Sequence, residues 1–173
     1  VRAIAKHQGP CYLRLGKAGE PKLHPEDVPF SLGKAIEMQS GTDVTLIGTS
    51  NMLETAAKTA TLLKAKGVSV LLLSMHTVKP MDEGAIMRAA KETKLIVTIE
   101  EHSCIGGLGS AVAEVIAKRD LRISQILCSA PDAFAEVCGS QAMFRRLCGL
   151  EPEAIGAKVI EKLTTRRMSE CSS

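Results

Sequence analysis

The sequence has no tryptophan, one tyrosine and three phenylalanines, so it offers almost nothing on which unpaired bases could stack. It also lacks a basic stripe. Lysines and arginines are interleaved with acidic residues except at Arg166 and Arg167, and the formal charge is only +3. Nucleic-acid binding is therefore not expected. No run of about 20 uninterrupted apolar residues occurs, which excludes a helical membrane span. None of the six cysteines forms a Cys-x-x-Cys pair, which argues against a zinc site and a thioredoxin-like motif. They are expected as reduced thiols packed as small apolar groups, in a cytoplasmic protein. The first seven residues are too short and interrupted for a signal peptide, and they lack an initiator Met. A fragment or a processed chain is the expectation.

What is present is a core-forming composition: 173 residues, 45% hydrophobic and 24% charged. A chain of this size buries about 70% of its unfolded surface and needs no disulfide or metal to fold. Residues 11–16 read as a short extended run. Pro21, Pro25 and Pro29 then make an extended connector, because each fixes its own φ and biases its predecessor away from helix. The expected boundary separates 1–29 from 30–173.

Beyond it the pattern alternates. Strands are predicted at 30–37 (an edge strand), 44–47, 68–75, 95–99 and 121–128. Helices are predicted at 52–66, 81–92, 109–118 and 152–163. The strands are continuous apolar runs rich in β-branched residues, whereas Leu53, Ala56, Ala57, Ala60 and Leu63 recur at helical spacing. Buried strands alternating with helices predict an α/β fold, a three-layer sandwich around a mostly parallel sheet.

In such sheets ligands gather where loops leave the carboxyl ends of the strands. The richest of these loops holds Glu100, Glu101, His102, Ser103 and Cys104. Gly106, Gly107 and Gly109 lie where a dinucleotide fingerprint would, but Val112 stands where its third glycine is expected. These glycines are read instead as a tight entry into the following helix. Adjacent strand residues point to opposite faces, so Glu100 and Glu101 do not flank one reacting bond unless the strand has already ended. Glu100 and His102 share a side, which permits a carboxylate–imidazole hydrogen bond. Its catalytic and structural versions look identical in sequence, and the structural or interface reading is adopted. Cys104 is read as a packed thiol and His76 as a polar loop residue; His7 and His24 say little. There is no phosphate loop, His-Glu-x-x-His pair or Gly-x-Ser-x-Gly elbow. No catalytic or metal-ligating residue is assigned.

Four segments taken together carry a resemblance: Gly9-Pro10-Cys11-Tyr12-Leu13-Arg14-Leu15-Gly16-Lys17, residues 41–49, Val78-Lys79-Pro80-Met81-Asp82, and residues 99–103 with Gly106-Gly107-Leu108-Gly109-Ser110-Ala111-Val112. From about Gly9 to Leu163 the chain resembles the carboxyl-terminal part of transketolase-family proteins. The resemblance implies a parent enzyme dependent on thiamine diphosphate and Mg, moving a two-carbon ketol unit between sugar phosphates in the pentose phosphate pathway. It implies that residues 1 to about 20 are the last strand of a preceding pyrimidine-binding domain, and that the rest is the third domain, which works in subunit contact. That domain's sheet is mostly parallel with one antiparallel edge strand. Cofactor and metal are then held elsewhere, none is expected on this chain alone, and the chain alone is not an enzyme. The partner is a second copy, forming a homodimer, or the amino-terminal cofactor-binding part in a heteromer. Lys17 falls where relatives carry a substrate-phosphate arginine; it supplies a point charge without the planar fork. Arg14 is a weaker candidate. A deoxyxylulose-phosphate synthase or ketoacid dehydrogenase β subunit is an alternative parent. A stand-alone module binding a small anion through Ser50, Lys79, His102 and Ser103 is another reading.

Overall fold

The computed structural model describes residues 1–16, 19–136 and 138–171. After a short helix α1 (Arg2–Ala5), the described residues before β1 (Ile36–Gln39) lie in no helix or strand. Then come β2 (Val44–Gly48), α2 (Met52–Ala65), β3 (Val70–Ser74), α3 (Glu83–Glu92), β4 (Leu95–Ser103), α4 (Leu108–Lys118), β5 (Ser124–Ala130), α5 (Gln141–Leu147) and α6 (Pro152–Cys171). The sheet order is β1-β3-β2-β4-β5. β1 runs antiparallel to β3, while the β3–β2, β2–β4 and β4–β5 pairs are parallel.

The two faces of the sheet carry separate cores. Val44, Leu46, Leu72, Val97 and Ile99 point to one side, where Met52, Leu53, Ala56, Ala60 and Leu63 of α2 and Ile155 and Val159 of α6 cover them. Ile47, Leu71, Leu73 and Ile96 point to the other and meet Ile86 and Ala89 of α3 and Leu108, Val112 and Val115 of α4. β2 and β3 are buried along their whole length, which is why they carry no polar alternation. The expected three-layer α/β sandwich is thus the observed one. A buried hydroxyl pair is satisfied internally: Thr93 Oγ1 donates to the Ala89 carbonyl at 2.8 Å, so Thr45 Oγ1, 2.8 Å away, donates to it.

Local chemistry sets the element ends. Asp82 caps α3 by accepting from Ala85 N–H, so the helix starts at Glu83 rather than directly after Pro80. α2 ends in a Schellman turn: Gly67, at φ +78°, donates to the Lys64 carbonyl and Val68 N–H to that of Leu63.

Two expectations are corrected. The edge strand occupies Ile36–Gln39, not 30–37, because Gly33 turns the chain at φ +75° and Ala35 N–H is taken by Asp82 Oδ2 at 3.0 Å. β4 runs four residues past Ile99, to Ser103, with a register shift against β5. Residues 11–16, expected as a short extended run, lie in no helix or strand of the described structure.

Candidate functional site

The carboxyl ends of β2, β3 and β4 lie side by side, and the loops leaving them carry the residues singled out in the sequence. β4 ends in Glu100, Glu101, His102 and Ser103, and because it is still a strand there, these side chains alternate in direction. Glu100 points inward and is 3% exposed. Its Oε2 accepts from Leu108 N–H and its Oε1 from Gly109 N–H, both at 2.7 Å. The carboxylate therefore occupies the N-terminus of α4, where free N–H groups and the helix dipole favour an anion.

The glycines of this turn serve that contact. A Cβ on Gly107 would come within 2.1 Å of Glu100 Oε2. A Cβ on Gly109 would meet Leu127 at 2.9 Å and Thr98 Oγ1 at 3.0 Å, so this glycine allows the close helix-to-sheet approach. Val112, at the place of a third fingerprint glycine, is fully buried in the second core. The position a diphosphate would take is filled by the chain's own carboxylate, and a nucleotide or thiamine diphosphate does not fit there.

Glu101 points the other way, into a different set of donors. Oε2 accepts from Asn51 Nδ2 at 2.8 Å and from Gln141 Nε2 at 2.9 Å, and Oε1 accepts from Arg145 Nε at 2.5 Å. Burial alone would raise its pKa; the bonds from Asn51, Arg145 and Gln141 outweigh burial and hold it below the usual carboxylate value. This carboxylate ties α5, which has no buried residue of its own, to the ends of β2 and β4.

The expected Glu100–His102 bond is not formed. Glu100 has both oxygens engaged by α4, and exposed His102 instead lies with Nδ1 3.1 Å from the Ser103 carbonyl oxygen. Ser103 Oγ faces Asp132 at 3.5 Å and accepts from Ile105 N–H. Gly106 N–H donates to Ser110 Oγ, which donates to the Cys104 carbonyl, so the 103–110 loop is knit to itself. Among the described residues no hydrogen bond links Ser50 or Lys79 to the neighbouring pair His102 and Ser103, and no cluster of His, Cys, Asp and Glu is placed to hold a metal. Lys17 lies outside the described residues, and Arg14 is exposed.

His76 is not merely a polar loop residue. It is half-buried, its ring stacks on Phe30 with centroids 4.1 Å apart, and its Nδ1 lies 2.8 Å from Thr77 Oγ1. His24, in the connector, reaches Ser74 Oγ at 2.9 Å. The Phe30 and Ser74 contacts have no local sequence signal, since the partners are far apart along the chain. The thiols divide: Cys128 is buried, Cys104 and Cys148 are half-buried, and Cys11 and Cys138, expected as packed, are exposed. Both lie on segments that no layer of this chain covers.

With its two loop carboxylates committed, this end of the molecule presents apolar side chains. Ile105 is 63% and Phe134 99% exposed, and Met143 and Leu147 of α5 are open to solvent. A shallow cavity runs beside Met143, Phe144 and Leu147. No described helix is long and apolar enough to cross a membrane.

The comparisons agree with this geometry. The chain is 34% identical over 162 residues to one of the subunits of apulose-4-phosphate transketolase from Phocaeicola vulgatus, covering 93% of this chain and 51% of that protein. It is 34% identical over 169 residues to 1-deoxy-D-xylulose-5-phosphate synthase of Symbiobacterium thermophilum, covering 96% of this chain and 26% of the synthase. The structure superposes on a split-gene transketolase solved as an inactive beta4 tetramer, with TM-score 0.86 and 35% identity over 94% of this chain and 54% of that one. The chain thus spans about half the length, or less, of the relatives it matches. The family profile described as transketolase, C-terminal domain, matches residues 33–155, and the chain belongs to the transketolase family as a C-terminal section of it.

Proposed function

We propose that this chain is the assembly half of a thiamine diphosphate-dependent transketolase, and that it is inactive until joined to the half that holds the cofactor and Mg. The whole enzyme moves a two-carbon ketol unit between sugar phosphates in the cytoplasm. The cofactor supplies the carbanion chemistry when bound. This chain's residues shape the surface against which the other half closes.

One observation carries the reading. Both carboxylates of the richest loop are spent on holding α4 and α5, which leaves Ile105, Phe134, Met143 and Leu147 as what that end presents. Exposed apolar side chains gathered on loops and a helix at one end of a sheet are what an interaction face requires. A second surface is consistent with it. Residues 11–16 lie in no helix or strand, and Tyr12 is 90% and Leu15 73% exposed, which leaves them free to complete the sheet of the preceding pyrimidine-binding unit. In this reading Lys17 supplies the charge that binds the substrate phosphate.

The test is co-purification with the cofactor-binding half. A heteromer of both polypeptides is expected by light scattering, and Ile105→Asp with Phe134→Asp should weaken it at least tenfold while the far-ultraviolet spectrum is unchanged. Equal assembly of the double variant would overturn the assigned surface.

A further inference from the structure

The connector is fastened to the sheet at the end of β3. His24 Nε2 lies 2.9 Å from Oγ of Ser74, the last residue of β3, and Phe30 lies over the ring of His76 two residues further on. Among the described residues, the one backbone-to-backbone hydrogen bond of residues 23–34 is internal, from Lys34 N–H to the Ser31 carbonyl. The two histidines hold this segment together with Leu23, which packs against the first core, and the Lys34–Asp82 ion pair, and the histidines face each other electrostatically. His76 Nε2 is buried without a well-formed hydrogen bond, and the Lys34 backbone near the ring is a weaker influence than burial, so a proton on the fastened ring is disfavoured.

We propose that residues 23–34 form a pH-sensitive strap, fastened to the end of β3 by His24 on Ser74 and Phe30 on His76, and loosened when His76 takes a proton. The proposal rests on no assumption about the enzyme's reaction. Loosening the strap would free the direction in which residues 1–22 leave the sheet.

The surrounding charges decide the sign. Burial lowers the His76 pKa below its ordinary 6.5, His24 lowers it further, and the Lys34 backbone opposes this with the smallest effect. Lys34 itself pairs with Asp82 at 3.6 Å, and the Asp82 carboxylate also accepts from Ala35 and Ala85 N–H. Lys79, in the loop after His76, is exposed and adds another positive charge. On the strap, Glu26 pairs with Lys22 and Asp27 is exposed. The Phe30 face favours a cation, but such a contact is weak beside the cost of a buried, unpaired charge. The released ring titrates at about 6.5 and the fastened ring lower. The strap is thus fully held above 6.5 and is lost progressively as pH falls below it. At pH 5.5 the released fraction rises by at most about tenfold.

Proton NMR of the full chain tests this. The His76 Cε1–H resonance should titrate below 6.5, and Phe30 ring resonances should move with the same midpoint while the Phe30–His76 inter-ring Overhauser effect declines by pH 5.5. In His76→Phe, which keeps a stacking ring, the Phe30 resonances should be flat from pH 7.5 to 5.5. In Phe30→Ala, which uncovers the imidazole, the His76 midpoint should move up toward 6.5. An undiminished inter-ring effect at pH 5.5, a His76 midpoint at or above 6.5, or an unshifted midpoint in Phe30→Ala would each overturn the proposal.

Discussion

The Glu100 carboxylate and the missing side chain of Gly107 occupy one space: Oε2 sits 2.1 Å from where a Cβ on Gly107 would lie. Gly107 has φ −96°, a value any residue adopts, so the requirement for glycine is steric and not conformational. Gly106, next to it, has φ +76° with open space around it.

These neighbours should therefore behave differently when changed to alanine. Gly107→Ala pushes a buried carboxylate off two N–H donors and is expected to cost about 2–3 kcal/mol. Gly106→Ala carries only left-handed backbone strain, about 1 kcal/mol. Urea unfolding of both, and of Glu100→Gln with and without Gly107→Ala, checks this. The double variant should fall well short of additive, because the two single changes break the same contact.

Glu101 predicts an acid-sensitive α5. Its folded pKa lies below the unfolded 4.5, so its stabilisation is complete above 4.5 and is lost as pH falls through the folded value. Hydrogen exchange of the 141–147 amides, corrected for intrinsic rate, should accelerate below pH 4.5 before β2 and β3 are affected. In Glu101→Gln the segment should be loose already at pH 7 and should lack that acid transition.

The cysteines predict an order of labelling. Burial pushes the Cys128 thiol up to about 11, so at pH 8 it is protonated and shielded. Cys11 and Cys138 are exposed and should react first with a maleimide, with Cys148, raised more mildly by burial, slower. Peptide mapping by mass spectrometry reads the order. Labelling of Cys128 on the timescale of Cys11 would show that the first core opens more readily than its packing indicates.

Much of the fold is legible in the sequence because buried parallel strands announce themselves. Residues 44–47, 68–75 and 95–99 are apolar runs, and α2 carries its stripe in plain sight. The last four residues of β4 are not legible, because Glu100, Glu101 and His102 read as loop; they remain in the strand since α4 and α5 supply donors to both carboxylates. α5 carries only end signals, the Ser140 cap and the Gly149 stop, and no buried apolar stripe. None of its residues is fully buried, and its anchor, Arg145 on Glu101, spans 44 residues of chain. The same distance problem hides His24 on Ser74, 50 residues apart. The glycine turn is legible as a helix entry, although the anion that it accommodates is visible only in three dimensions.

The central claim is that this chain shapes and completes an enzyme whose reacting groups lie on another polypeptide or segment. The most direct measurement is ketol transfer from a ketose phosphate to an aldose phosphate, with thiamine diphosphate and Mg, by this chain alone and with the cofactor-binding half added. The account predicts no turnover by the chain alone and turnover that saturates near one equivalent of the added half. Turnover by the purified chain alone would contradict it.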